Sequence, residues 1–312
     1  MSMDIVFMGT PDFAVPCLQA LIDEGHRIKA VYTQPDRPKG RGHKLASPPV
    51  KELALSHNIP VCQPKSLRKP EIAEQMKSHR PQLCVVVAYG KLLPQNILDI
   101  PPLGCVNVHA SLLPAYRGAA PIQWSVINGE KVTGATTMYM SQGLDEGDII
   151  LSDSVNIGED ETAGELHDRL SRLGAKVLIE TVRRLEEGNA PRTPQAELGE
   201  PSFAPMLSRE LGNLDFTKTA QELHNLIRGL NPWPIARAVC LNKEIKVFAS
   251  KVENLQTQAA PGEIVDDKRL VVACGNKTAL ELIRVQVQGK KPVGGQEFMR
   301  GYRLKKGDRL EG

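Results

Sequence analysis

No stretch of this sequence approaches the roughly 20 consecutive apolar residues that a membrane-spanning helix needs. The N-terminus, Met1-Ser2-Met3-Asp4-Ile5-Val6-Phe7-Met8, has neither the basic start nor the longer apolar run of a secretory signal, and it reads as a first core strand. Six cysteines stand at 17, 62, 84, 105, 240 and 274, with no Cys-x-x-Cys pair and no histidine cluster beside any two of them. That spacing disfavours a zinc site and a disulfide scaffold, so reduced thiols in a cytoplasmic protein are expected. Glycine also lacks the patterns that cradle phosphates. Gly40-Arg41-Gly42 has no third glycine at fingerprint spacing, Gly9-Thr10-Pro11-Asp12 pairs one glycine with a proline, and Gly275-Asn276-Lys277-Thr278 has no upstream glycine. An enzyme of nicotinamide or nucleotide triphosphates is therefore disfavoured.

The composition that remains, 41% hydrophobic and 24% charged over 312 residues, is that of a globular protein long enough for two domains. Over the first 190 residues strand-like and helix-like runs alternate, the pattern of a Rossmann-like parallel α/β sheet. Strands are expected at Asp4 to Met8, Ile28 to Thr33, Leu83 to Ala88, Cys105 to His109, Thr136 to Met140 and Ile149 to Val155. Helices are expected at Val15 to Glu24, Pro70 to Ser78 and Gln123 to Asn128, and from the capping box at Thr162-Ala163-Gly164-Glu165 to about Glu187. Periodicity stops near Gly188, and proline and polar residues dominate to about Met206. Residues 190–206 thus read as a linker between a catalytic domain, 1–189, and a second domain, 207–312. The latter opens with a helix, Thr219 to Leu230, followed by short β-prone runs that suggest a small β-barrel. A chain ending near Pro205 is expected to keep a folded α/β core. Residues 1–206 carry 21 Lys and Arg against 24 Asp and Glu, whereas residues 207–312 carry 18 against 12. The basic second part suits a polyanionic partner, or simply a solvated lysine-rich surface.

Chemistry concentrates at the end of the fourth expected strand. In an extended segment Asn107 and His109 project to the same side, because strand side chains alternate with period two. Beside the tight turn Ser111-Leu112-Leu113-Pro114, an amide and an imidazole leaving one sheet edge can polarise a carbonyl oxygen, as acyl transfer requires. The Gly-flanked acidic loop at Gly143-Leu144-Asp145-Glu146-Gly147 can return a carboxylate, Asp145, to orient and charge His109. The plainer alternative is a strand-end histidine that is merely hydrogen-bonded. Cys105 shares the face of Asn107 and His109 and reads as a packing residue. Elsewhere, Arg37, Lys39, Arg41, Lys44 and Lys51, with His43, stand between Asp36 and Glu52 without an acid. Such a stretch builds no core of its own, and a mobile loop is expected.

These residues resemble the folate-dependent formyltransferases. The resemblance rests on His109-Ala110-Ser111-Leu112-Leu113-Pro114 with Gly118, and on Gly9 to Ala14, Thr33 to Pro38, Gly40 to Gly42, Arg117 to Gln123 and Asn231-Pro232-Trp233-Pro234, in order along nearly the whole chain. It implies an oligonucleotide-binding-like barrel after the linker and catalysis by Asn107, His109 and Asp145, with both Asn107 and His109 donating to the oxyanion and no metal. It further implies 10-formyltetrahydrofolate as co-substrate, bound at the strand ends by Ser111, Leu112, Leu113 and Pro114, with Val87-Ala88-Tyr89-Gly90 as neighbour. In the family the basic insertion contacts the acceptor stem of initiator methionyl-tRNA, and Arg41 matches the arginine at its tip. A cytoplasmic monomer acting in translation initiation is the expectation. A formyltransferase acting on a nucleotide sugar or a purine precursor, and a non-catalytic RNA-binding protein, are the rival readings.

Overall fold

The computed structural model describes residues 2–39 and 44–312. Along the chain its elements are β1 (Asp4–Gly9), α1 (Val15–Asp23), β2 (Arg27–Tyr32), β3 (Arg37–Lys39), β4 (Lys44–Ala46), α2 (Pro49–Ser56), β5 (Val61–Cys62), α3 (Pro70–Ser78), β6 (Leu83–Val87), α4 (Gln95–Leu98), β7 (Cys105–His109), β8 (Arg117–Gly118), α5 (Pro121–Ile127), β9 (Val132–Tyr139), β10 (Ile149–Asn156) and α6 (Ala163–Glu186). They continue with β11 (Phe203–Ala204), α7 (Ala220–Gly229), β12 (Ala236–Cys240), β13 (Lys243–Glu253), β14 (Val271–Ala273), β15 (Ala279–Val287), β16 (Val293–Gly294), α8 (Gly295–Tyr302) and β17 (Leu310–Glu311). Among the described residues no helix is long and apolar enough to cross a membrane.

The chain forms two compact units. The first comprises residues 1–118, 133–155 and 167–203, and it is built on a seven-stranded sheet in the order β10-β9-β7-β6-β1-β2-β5. From β7 to β5 the neighbours are parallel, and β9 runs antiparallel to β7. Strand β6, Leu-Cys-Val-Val-Val, is buried along its whole length, which suits a central strand covered on both faces. Helix α6 lies close over β7, and a Cβ on Gly174 would stand 2.9 Å from Val108 Cγ1. Gly9 ends β1 in an equally tight place, where a Cβ would stand 2.7 Å from the Phe7 ring and 2.9 Å from Ala14 Cβ.

The basic stretch after β2 has more structure than its composition suggests. Strands β3 and β4 pair antiparallel, because a hairpin needs backbone bonds and no core of its own. Helix α2 starts at Pro49, whose missing N–H is no loss in a first turn, and it buries Val50 and Ala54. Lys51 is held by both Asp36 oxygens, at 2.7 and 2.8 Å, and by Gln63 at 3.0 Å.

The second unit comprises residues 119–132, 156–166 and 204–312. Its antiparallel sheet, β14-β15-β13-β12-β17 with β16 beside β15, makes a nearly closed barrel. Register shifts near Ala249 bend β13. Helix α7 opens with a complete capping box at Thr219 and Glu222 and buries Leu223 and Ile227. The units are not successive in sequence, and the reason is apolar. Helix α5 packs Trp124 and Ile127 with Leu207, Leu226 and Leu230. Arg228 donates to the Gly158 and Glu161 carbonyls, both at 3.1 Å, and His224 Nε2 donates to the Glu159 carbonyl at 3.1 Å. A cut near Pro205 would strip residues 119–132 and 156–166 of these partners, while the unit built on the seven-stranded sheet ends at Phe203.

Candidate active site at the end of strand β7

Strand β7 carries Asn107 and His109 on one face, at 9% and 6% exposure, in register with Met138 and Thr136 of β9. The Asn107 side-chain amide makes no hydrogen bond among the described residues. His109 is flanked on both sides. Its Nε2 donates to the Tyr116 carbonyl at 2.9 Å, since a carbonyl can only accept, and its Nδ1 lies 3.7 Å from Asp145 Oδ2. Asp145 Oδ2 in turn accepts from the Gly118 N–H at 2.9 Å.

Asp145 sits in the left-handed region at φ 50°, a conformation that aspartate tolerates better than most residues. Two residues on, the loop can be closed only by glycine, because a Cβ on Gly147 would collide with the Tyr139 carbonyl oxygen. Gln195 Nε2 donates to the Asp145 and Gly147 carbonyls, both at 2.8 Å, and its Oε1 accepts from Arg117 Nε at 2.9 Å and Nη2 at 2.7 Å. A cavity of about 450 Å³ adjoins this loop, lined among others by Arg117, Tyr139, Glu146, Arg192 and Gln195. In it the Arg192 guanidinium stacks 3.6 Å above the Tyr139 ring.

The turn after β7 is braced from β9. The Thr136 hydroxyl donates to the Ser111 carbonyl at 2.6 Å and accepts from the Leu113 N–H at 3.2 Å, and Ser111 Oγ donates to the Ala115 carbonyl at 2.6 Å. Leu113 packs with Met138 and Ile149, Leu112 covers Gly134, and Pro114 is buried. The side chains of Ser111, Leu113 and Pro114 are thus buried in the fold, and that of Leu112 is half-buried. At the end of β6, Ala88 and Gly90 have φ of 47° and 80°, and the Tyr89 carbonyl accepts from Gln34 Nε2 at 2.9 Å and Thr10 Oγ1 at 3.3 Å. Cys105 is buried among Val86, Tyr89 and Leu98, and all six cysteines are free. Asn107, His109 and Asp145 are brought together, and Arg41 lies outside the described residues. Gln195, Thr136, the Tyr116 carbonyl and the Gly118 amide join the site, and of these only Gly118 stands in the signature that carries the resemblance. Two of them are backbone groups, and Gln195 falls in the stretch read as a linker.

Residues 3–182 match the family described as Formyl transferase, and residues 206–303 match the Formyl transferase C-terminal domain. The methionyl-tRNA formyltransferase of Alkaliphilus oremlandii (strain OhILAs) is 50% identical over 310 residues, covering 99% of this chain and 99% of its own. That of Clostridioides difficile (strain 630) is 51% identical over 306 residues, covering 98% and 99%. Among solved structures the chain is similar to WlaRD, a sugar 3N-formyl transferase, with TM-score 0.69, 18% identity and coverage of 93% of this chain and 100% of that one. It is also similar to HypX from Aquifex aeolicus in complex with tetrahydrofolic acid, with TM-score 0.65, 16% identity and coverage of 96% of this chain and 47% of that one. At these identities the structural likeness is one of fold.

Proposed function

The chain belongs to the formyl transferase family, and from that premise we propose that it moves a formyl group from 10-formyltetrahydrofolate to the free amine of methionyl-tRNA, giving N-formylmethionyl-tRNA for translation initiation. The observation that carries this reading is Asn107, whose amide has no hydrogen bond among the described residues, on the same strand face as an imidazole that faces a carboxylate. The end-to-end likeness to relatives named methionyl-tRNA formyltransferase supplies the substrate class.

The donor supplies a carbon already at the formyl oxidation level, so no electron changes hands. Residues around the site fit it in chemistry. The strand ends at Ala88 to Gly90 and Ser111 to Pro114 carry no charge, which suits a neutral heterobicycle held by backbone and apolar contact. As the amine nitrogen bonds to the formyl carbon, negative charge develops on the formyl oxygen. Asn107 donates to that oxygen, and a fixed donor there is worth about 2.7 to 4 kcal/mol. His109 acts differently from the direct donor expected of it. With Nε2 on the Tyr116 carbonyl and Nδ1 toward Asp145, it contributes positive charge beside the oxygen. Asp145 orients the ring and helps take the proton that the amine loses, while the folate nitrogen gains one as its bond to the formyl carbon breaks.

In this reading residues 1–189 carry the reacting groups, and 190–206 both brace the Asp145 loop through Gln195 and lead on to 207–312. The excess of basic residues in 207–312 and Arg41 in the basic stretch serve the tRNA. The work belongs in the cytoplasm. The test is to incubate the protein with 10-formyltetrahydrofolate and either initiator methionyl-tRNA or free methionine. Formylation of the esterified methionine alone is expected, and absence of product, or equal use of the free amino acid, would refute the assignment.

A further inference from the structure

Gln195 is 3% exposed and opens a single 3-10 turn, Gln195–Glu197. Its place is set by Thr193, which exchanges backbone bonds of 2.9 and 3.0 Å with Ile149. The amide then uses its full capacity, with both N–H groups on the Asp145 and Gly147 carbonyls and its oxygen on the Arg117 fork. The orientation is self-fixing, because a flipped amide would set N–H groups against a guanidinium and an oxygen against two carbonyls. Arg117 precedes Gly118, whose N–H holds Asp145 Oδ2 at 2.9 Å. Gln195, Asp145, Gly118 and Arg117 therefore close a hydrogen-bonded ring, and that ring grips Asp145 by its backbone and by its carboxylate. The left-handed Asp145 backbone depends on such a grip, since a free loop would relax it.

We propose that Gln195 is a positioning residue for formyl transfer, holding the Asp145 carboxylate toward His109 through this ring. The proposal rests on the roles given above to His109 and Asp145. Two variants separate positioning from folding. Gln195→Ala removes the whole amide. Gln195→Glu keeps its volume and an oxygen toward Arg117 but loses the two donors and sets an oxygen against the carbonyls of the loop. Both should remain folded by thermal melting. Formylation of methionyl-tRNA should show kcat lowered by about 10- to 100-fold, the scale of a small misplacement at a reacting centre, with KM for either substrate changed by less than about threefold. On an Asp145→Asn background each should cost less than about a further threefold, because a residue acting through Asp145 has little left to lose. Hydrogen exchange across residues 141–148 should quicken about tenfold in both variants. A near-normal kcat for Gln195→Glu, an effect confined to KM, or an additive loss beside Asp145→Asn would overturn the proposal. Should the unaltered protein formylate nothing, the functional reading fails by itself. Exchange then decides the ring alone, and unchanged exchange in both variants would overturn it.

Discussion

The side-chain amides of Asn107 and Gln195, both in the first unit, stand in opposite states. Asn107, 9% exposed, bonds to nothing among the described residues, whereas Gln195, 3% exposed, makes every bond it can. The Asn107 amide is not sealed from solvent, so water can serve it until another partner enters. Under the proposed function that partner is the formyl oxygen. The satisfied amide marks framework. The contrast is between a group that works and a group that holds, and it makes different demands on rate and on stability.

The contrast would break hardest at His109. Replacing it by Ala should lower kcat by about a hundredfold or more, the range of lost acid-base and charge effects, and single-turnover formylation measures it. A rate within about threefold of the unaltered protein would take His109 out of the reaction.

Thr136 sharpens the other side. Fully buried, with its hydroxyl bonded to both Ser111 and Leu113, it is framework like Gln195. Thr136→Val keeps the shape and orphans a carbonyl and an N–H, so chemical denaturation should record a loss of about 2 kcal/mol. No loss would mean that the turn after β7 is held by packing alone.

The smallest effect is expected in the second unit. His224 is buried with Nδ1 accepting from Ser250 Oγ at 3.0 Å and Nε2 donating to the Glu159 carbonyl at 3.1 Å, a neutral tautomer with both nitrogens used. Burial holds its pKa below the ordinary 6.5, and the Arg228 guanidinium adds to that against the Glu159 carbonyl and Asp160. The unfolded chain therefore takes up a proton near pH 6.5 while the folded chain does not. The contribution is fully present above that pH and is lost as the pH falls below it, until the folded pKa is reached. Melting curves from pH 7.5 to about 5 should show this decline in the unaltered protein and a flatter profile in His224→Asn. Identical profiles would mean that His224 charges in place.

Much of this architecture was legible in advance where side-chain pattern decides it. Strand β7 begins at Cys105 and ends at His109 and α3 spans Pro70–Ser78, as periodicity and the punctuating prolines and glycines predict. Asp145 drew attention because glycines flank an acidic loop. What stayed hidden depends on contacts distant in sequence. A lone glutamine among prolines has no period, and backbone groups such as the Tyr116 carbonyl have no side-chain signature. Helix α5 packs with α7, about a hundred residues on, because their apolar faces match, and local propensity does not encode that choice. Helix α8 starts with Gly295, a poor helix former, so it reads as a loop until Phe298 and Met299 are seen buried.

The most direct test of the account is Asn107→Ala, assayed by single-turnover formylation of methionyl-tRNA alongside its melting temperature. An amide that serves the reacting oxygen should be lost with about a hundredfold fall in rate and with the melting temperature unchanged, because the side chain makes no hydrogen bond among the described residues that its removal would break. A rate within about threefold of the unaltered protein, or a slower rate accompanied by a drop of several degrees in melting temperature, would contradict it.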